Sequence, residues 1–355
     1  MKIAVIGDMH IGARNDSLVF ADHHITWFEK LLKYLVKEKI DHVIQVGDVF
    51  DRRKFINFQI LNLWKGLVFD QFKKHNITLD IIVGNHDIAH KNHSEVNSPI
   101  LLLKEYDNVK VYLNPTEVML GNTKVLYVPW INAANEAATM SAVKNTTATI
   151  AFGHFEFRGF QMDKGHLMEE GMDSKLFKKF DTVYSGHYHH KSDDGHVFYL
   201  GTPYQMTWVD FGSTKGFHLW DSDSLQLEFK PNTPDTEIFQ HITYNECVEL
   251  PESYWRDFDC SSYTNKMVKV FVVNKQNLYV FDQFWDRLIE SSPADVKIIE
   301  DMIDVDSVAD ADLNLDDTEK VLDTFVDAVD TQLDKPKLKT ILKQLYVEAL
   351  HVEDV

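Results

Sequence analysis

A layered α/β architecture is what this sequence predicts, and three observations carry the prediction. Strand-like and helix-like patterns alternate through the first 230 residues. The strand-like runs end in polar loops, most of them marked by a glycine. Two apolar stripes at helical spacing lie between those runs.

The strand-like runs reach their loops at Lys2 to Gly7, Val43 to Gly47, Leu79 to Gly84, Lys124 to Val128, Thr149 to Gly153 and Thr182 to Gly186. Val19, Phe20, Trp27, Phe28, Leu31, Leu32, Leu35 and Val36 mark one helix face, and Ile60, Leu61, Trp64, Leu67 and Val68 mark another. Such stripes exist to cover sheets, so they are read as core. Pro231 and Pro234 punctuate the exit from this first domain, residues 1–230. Over 231–299, short strand patterns at Phe239 to Tyr244, Met267 to Val273 and Val296 to Ile299 enclose helix-like segments around Trp255 and from Leu278 to Ile289. A small appended α/β domain is expected there. The Asp-rich stretch 300–317 reads as a solvated linker. Residues 318–355 then hold two helix patterns, Val321-Leu322-Phe325-Val326-Val329-Leu333 and Leu338-Ile341-Leu342-Leu345-Tyr346-Ala349. Pro336 between them suits the first turn of the second helix, where its missing donor costs nothing.

Composition bounds the function. At 355 residues the chain exceeds what one hydrophobic core usually organises. It starts directly in a strand pattern and has no run of about 18 apolar residues, so an unexported, cytoplasmic protein that does not span a membrane is expected. Cys247 and Cys260 are too few for a disulfide framework or a thiolate metal site, and buried thiols are expected. A net charge of −19 argues against a polyanion partner, but its distribution softens the objection. Residues 300–334 hold thirteen carboxylates against one base, Lys320, which leaves −7 for the rest of the chain.

Five short motifs follow strand patterns, where open α/β sheets place their ligands. They are Asp8-Met9-His10, Gly47-Asp48-Val49-Phe50-Asp51, Gly84-Asn85-His86-Asp87, Gly153-His154 and Gly186-His187-Tyr188-His189. Each offers carboxylate, imidazole or amide at a strand-to-loop turn. A lone Gly-His is weak as a signal, whereas five motifs in order are strong. The simplest reading of Asp87 is a loop-capping carboxylate rather than a metal ligand. His23, His24, His90, His93 and His190 are read as polar surface groups, with His190 and Arg14 kept as candidate phosphate contacts.

These blocks resemble those of the calcineurin-like metallophosphoesterases over about the first 220 residues. The resemblance implies a β-sandwich flanked by helices and a site for two divalent metal ions. It implies Asp8, His10 and His189 as ligands of the first ion, Asn85, His154 and His187 of the second, and Asp48 as the bridge. His86 would protonate the leaving oxygen, with Asp51 orienting it by accepting its second ring proton. Imidazole with oxygen donors suits Mn²⁺, Fe or Zn²⁺ better than Mg²⁺, and Mn²⁺ is the expected metal. Asp-x-His-x-Gly at the start, Asn97-Ser98-Pro99, and Tyr199-Leu200-Gly201-Thr202-Pro203-Tyr204-Gln205 are similar to the SbcD family of DNA-repair exonucleases. Those are the bacterial relatives of the meiotic-recombination nuclease, and the layout is most similar to the T-even bacteriophage version. That narrower resemblance implies DNA as substrate, a capping domain at 231–299, a homodimer, and a helix pair at 318–355 that binds the coiled coil of an SMC-like ABC ATPase of the SbcC type. Competing readings are a phosphoesterase for another phosphate ester and a metal-free protein-binding scaffold.

Overall fold

The computed structural model of the chain describes residues 1–163, 166–247, 251, 253–300, 326 and 335–342. It divides into two compact units, residues 1–206 with 210–301 and residues 207–209 with 302–355.

Two six-stranded sheets build the first unit. One runs in the order Leu227–Pro231, Gly216–Asp221, Lys2–Ile6, His42–Gln45, Thr78–Ile82, Val109–Tyr112. Its last four strands are parallel. The other runs Ser192–Asp193, Val197–Tyr199, Thr182–Gly186, Ile150–His154, Thr123–Val128, Thr116–Leu120, with four parallel strands in the middle. Their inner faces meet in one core: Ile3, Val5, Ile44, Val46 and Ile82 from the first sheet, Val125, Tyr127, Ile150, Phe152 and Tyr184 from the second. The alternate residues face outward and are covered as well. Ala4, Ile6, Val43, Leu79 and Ile81 lie under the helix Leu18–Glu38 and the segment 58–74. Leu126, Val128, Ala151 and Val183 lie under Val143, Phe155, Phe157 and Phe177. Burial on both faces is why these strands read as unbroken apolar runs rather than as period-two patterns.

The helix Leu18–Glu38 buries Phe20, Trp27, Phe28, Leu31 and Leu35 of the expected stripe. The second stripe is less regular. Asn57 caps it by accepting from the Gln59 and Ile60 N–H groups, Phe58–Trp64 is α-helical, Lys65–Phe69 widens into a π-helix, and Asp70–Lys74 returns to α.

Beyond Pro231 a third sheet, Phe239–Asn245, Met267–Asn274 and Asp295–Ile299, is parallel throughout and backed by the helix Leu278–Glu290. The helix-like pattern around Trp255 is not a helix. Residues 253–257 form turns, and Trp255 is buried against Tyr244, Phe258 and Phe284, so the apolar spacing there reflects an aromatic core and not a helical face. Gln205 ties this sheet to the sandwich: its side-chain oxygen accepts from the N–H groups of Ile238 and Phe239.

Of the second unit, residues 335–342 are helical, with Pro336 in the first turn. The acidic stretch from Asp301 onward and most of the expected helix pair lie outside the described residues. No helix among the described residues is long and apolar enough to cross a membrane. Cys260 is buried as expected, but Cys247 is exposed, and both are free thiols.

Candidate active site

Five parallel strands, three from one sheet and two from the other, end at the same edge of the sandwich. Lys2–Ile6 leads to Asp8 and His10, His42–Gln45 to Asp48, and Thr78–Ile82 to Asn85 and His86. Opposite them, Ile150–His154 ends in His154, and Thr182–Gly186 leads to His187 and His189.

Three of these residues sit in left-handed backbone that side chains rarely adopt: His10 (φ 44°), Asp48 (φ 57°) and His187 (φ 88°). Asp87 supplies part of what holds them. Its carboxylate accepts the N–H groups of Asp48, Val49 and Gly84 at 2.9 Å each and of Phe50 at 3.2 Å. Asp87 is thus a loop-capping carboxylate, as its turn-forming chemistry suggests. The Asp8 carboxylate does the same for His187, whose N–H lies 3.0 and 3.1 Å from its two oxygens.

The side chains converge as two clusters. In one, His10 Nε2 faces His189 Nε2 at 3.2 Å, with Asp8 Oδ2 3.8 Å from His189 Nε2. In the other, Asn85 Oδ1 lies 2.9 Å from His154 Nε2 and 3.1 Å from His187 Nδ1. Asp48 Oδ2 stands between them, 3.3 Å from His154 Nε2 and 3.9 Å from His10 Nε2. All seven residues expected to hold metal are therefore brought together, in the expected two groups. The sets Asp8, His10, His189 and Asp48, His154, His187 each place one donor atom per residue within 4.8 Å of one another.

His86 borders this centre, its ring 4.8 Å from that of His10. Its N–H donates to Asp48 Oδ1 at 2.8 Å, and its Nδ1 lies 2.5 Å from a carbonyl oxygen, that of Asp51. A carbonyl only accepts, so Nδ1 carries a proton and Nε2 is the nitrogen left for other partners. The Asp51 atom that meets the His86 ring is its backbone carbonyl oxygen. Its backbone, not its carboxylate, orients His86. The carboxylate turns instead to His10 Nδ1, 3.1 Å away. Backbone position and side-chain direction diverge at this sharp turn, which residue spacing does not disclose.

Residues 1–191 match the family described as calcineurin-like phosphoesterase. The chain belongs to that family. It is 30% identical over 352 residues, 98% of its length and 99% of the relative's, to exonuclease subunit 1 of Enterobacteria phage T4. It is 24% identical to the DNA double-strand break repair protein Mre11 of Saccharolobus solfataricus, over 66% of this chain and 62% of that one. A subunit of the SbcCD nuclease of Staphylococcus epidermidis is 22% identical over 67% of this chain and 71% of its own. The protein is a metal-dependent phosphodiesterase.

The electrostatics of this phosphoesterase centre are those of a cation site. Burial pushes the Asp8 carboxyl up to about 7, against the pull of His154. Burial opposes charge on His10, yet the hydrogen bond to Asp51 and the charges of Asp48 and Asp8 raise its ring to about 9. His154 is likewise held at about 9, burial being overcome chiefly by Asp48. Asp8 and Asp48 are buried carboxylates, and divalent ions bound beside them would offset their charge. The donors also fit. His154 Nδ1 lies 2.8 Å from the carbonyl of Val46, a contact that fixes the ring with Nε2 directed at Asn85 and Asp48.

Several residues that shape the site carry no sequence signal as ligands. Trp130 is half-buried, its ring 5.1 Å from His187 and 5.9 Å from His154. Tyr204 donates its hydroxyl to the carbonyl of Met9 at 2.6 Å, between Asp8 and His10. His24, expected at the surface, is 1% exposed and stacks on Tyr204 at 3.7 Å, because the Leu18–Glu38 helix turns that face to the core. His190 lies 3.9 Å from Asp210, and Arg14 stands 6.0 Å over Phe20, in the left-handed turn after His10.

Proposed function

We propose that the chain is a two-metal DNA nuclease, with double-strand exonuclease and single-strand endonuclease activity, acting in recombination, repair and replication with an SMC-like ABC ATPase. The observation that carries this reading is the convergence of Asp8, His10, Asp48, Asn85, His154, His187 and His189 beside His86. The names of the relatives, nuclease subunits and a double-strand break repair protein, support DNA as the substrate.

Divalent cations held at this site, for which we propose Mn²⁺ on the strength of the mixed imidazole and oxygen donors, would supply Lewis acidity toward water and the phosphoryl oxygens. Asp8, His10 and His189 would hold one, Asn85, His154 and His187 the other, and Asp48 both. His86 keeps one proton on Nδ1 against the Asp51 carbonyl, so its Nε2 is the position from which a second proton passes to the leaving oxygen. Asp51 aligns His10 through its carboxylate and His86 through its carbonyl.

The reading is tested with end-labelled duplex and single-stranded DNA in Mn²⁺. Release of nucleotides from duplex ends and cleavage within single strands is expected. Hydrolysis of p-nitrophenyl phosphate with no action on DNA would replace the nuclease by another phosphoesterase.

For partners, the names of two relatives as subunits support an ATPase partner, with residues 318–355 as its attachment and 231–299 as a domain that helps to position DNA. Truncation after Asp312 should leave Mn²⁺ binding and basal nuclease activity intact and abolish co-purification with the ATPase. A homodimer is the assembly we infer. Phe58 and Leu101, 84% and 59% exposed, are apolar side chains that such an interface would cover.

A further inference from the structure

We propose that Lys215, neutralised by Asp210, is a positioning residue for His189 and so sets the affinity of the first-metal half of the site. Lys215 and Asp210 are 6% and 2% exposed, and Lys215 Nζ lies 2.5 Å from Asp210 Oδ1. The same ammonium donates to the backbone carbonyl of His189 at 2.9 Å. The N–H of Thr202 reaches that carbonyl too, at 3.1 Å. Asp210 is itself anchored: its Oδ2 accepts the N–H of Met206 at 2.8 Å, and its carbonyl accepts from Gln205 Nε2 at 3.2 Å.

A buried ion pair is a costly way to gain stability, because desolvation of both charges offsets most of their attraction. A lysine beside a centre built for cations also repels them unless an anion cancels it. Asp210 does so from a position that lets the ammonium grip the carbonyl of His189. The grip bears on backbone immediately behind the imidazole that faces His10 at 3.2 Å. The second cluster is held differently. There His154 ends a sheet strand, where ladder hydrogen bonds and the Val46 carbonyl fix it, and the backbone N–H of His187 is held by the Asp8 carboxylate rather than by Lys215. The clamp therefore bears on one half of the site.

This inference rests on the reading of His189 as a ligand of the first ion, and the test separates the two. Calorimetric Mn²⁺ titration of the full chain should resolve two ions. Because Lys215→Met alone would leave Asp210 buried without its counter-charge, the main variant is Lys215→Met with Asp210→Asn. In it one affinity should fall about 10- to 100-fold, the usual loss when a partner of a ligand is removed, while the other holds. Lys215→Arg, which keeps charge and donor, should recover most of the loss. In a His189→Ala background the paired change should have no further effect on the remaining ion, since no imidazole is left to position. Two unchanged affinities, an equal fall in both, or a further loss in the His189→Ala background would each overturn the clamp. Retention of both ions by His189→Ala alone would overturn the ligand assignment, and the clamp with it.

Discussion

Asp87 Oδ2 accepts the backbone N–H of Asp48 at 2.9 Å, so the residue that stands between the two candidate ligand clusters is held in left-handed backbone by a second carboxylate 39 positions away. Three other N–H groups depend on the same side chain. Asp87→Ala would leave four buried donors without a partner, and hydrogen bonds to charged groups contribute ~1.5–3 kcal/mol each. A loss of at least ~3 kcal/mol in folding stability is expected, together with weaker Mn²⁺ binding. Asp87→Asn, which keeps one acceptor oxygen, should fall between. Chemical denaturation and metal analysis on the three proteins check the order.

His86 and the ligands should separate cleanly in their effects. His86→Ser is expected to keep both ions and DNA binding and to slow cleavage by ~10²–10⁴, the usual worth of a general acid. An activated nitrophenyl phosphodiester, whose leaving group needs no proton, should be far less affected. Metal loss in this variant would show that His86 is a ligand.

Asp51 gives the opposite signature, because its carboxylate serves His10 and its carbonyl survives substitution. Asp51→Asn should raise the Mn²⁺ concentration needed for activity and recover much of the wild-type rate once Mn²⁺ is saturating. A rate defect that persists at saturating Mn²⁺, as in His86→Ser, would restore the carboxylate to the acid's side.

Acid sensitivity has a locatable contribution away from the site. Burial, with Lys191 assisting, lowers His218 to about 3, and its ring lies 5.0 Å from Phe229. The unfolded chain takes this proton near 6.5 and the native one does not, so stability falls as pH drops from 6.5 toward 3. By pH 5 the group costs about 2 kcal/mol relative to neutral pH, at about 1.36 kcal/mol per pKa unit. His218→Phe should lose less stability than the wild type between pH 7 and pH 5 by about that amount. Parallel pH dependence of the two proteins would count against the buried neutral ring.

Six strands of the sandwich and every proposed ligand are legible in the sequence because burial on two faces writes continuous apolar runs, five of which stop at a motif; the buried inner strand Gly216–Asp221 stops at none and is not legible. Nor are the edge strands. Val109–Tyr112, Thr116–Leu120 and Leu227–Pro231 are only partly covered, so their residues mix apolar and polar types without a clear run. The motif glycines read as bends, which holds for Gly47 at φ 106°. Gly84 instead answers to space, for a Cβ there would lie 2.2 Å from Asp48 Oδ1. Support from afar is not readable as such, even where, as at Tyr204, the residue stands in a block the sequence singles out. Tyr204, Lys215 and Asp210 act on the site through backbone carbonyls or through each other, and a residue's reach to a distant carbonyl leaves no local pattern.

The division of the ligands between two sheets bears on the order of events in folding. Asp8 and His187 are 179 residues apart, and neither sheet alone presents a complete set of donors for either proposed ion. On the proposed ligand sets, a partly made or partly folded chain would have no high-affinity place for a divalent ion, and capture would wait until the two layers have docked. Contacts so distant in sequence form slowly. A refolding experiment followed by Mn²⁺ uptake should accordingly show a lag behind the recovery of secondary structure, and cations added early should slow unfolding more than they speed collapse.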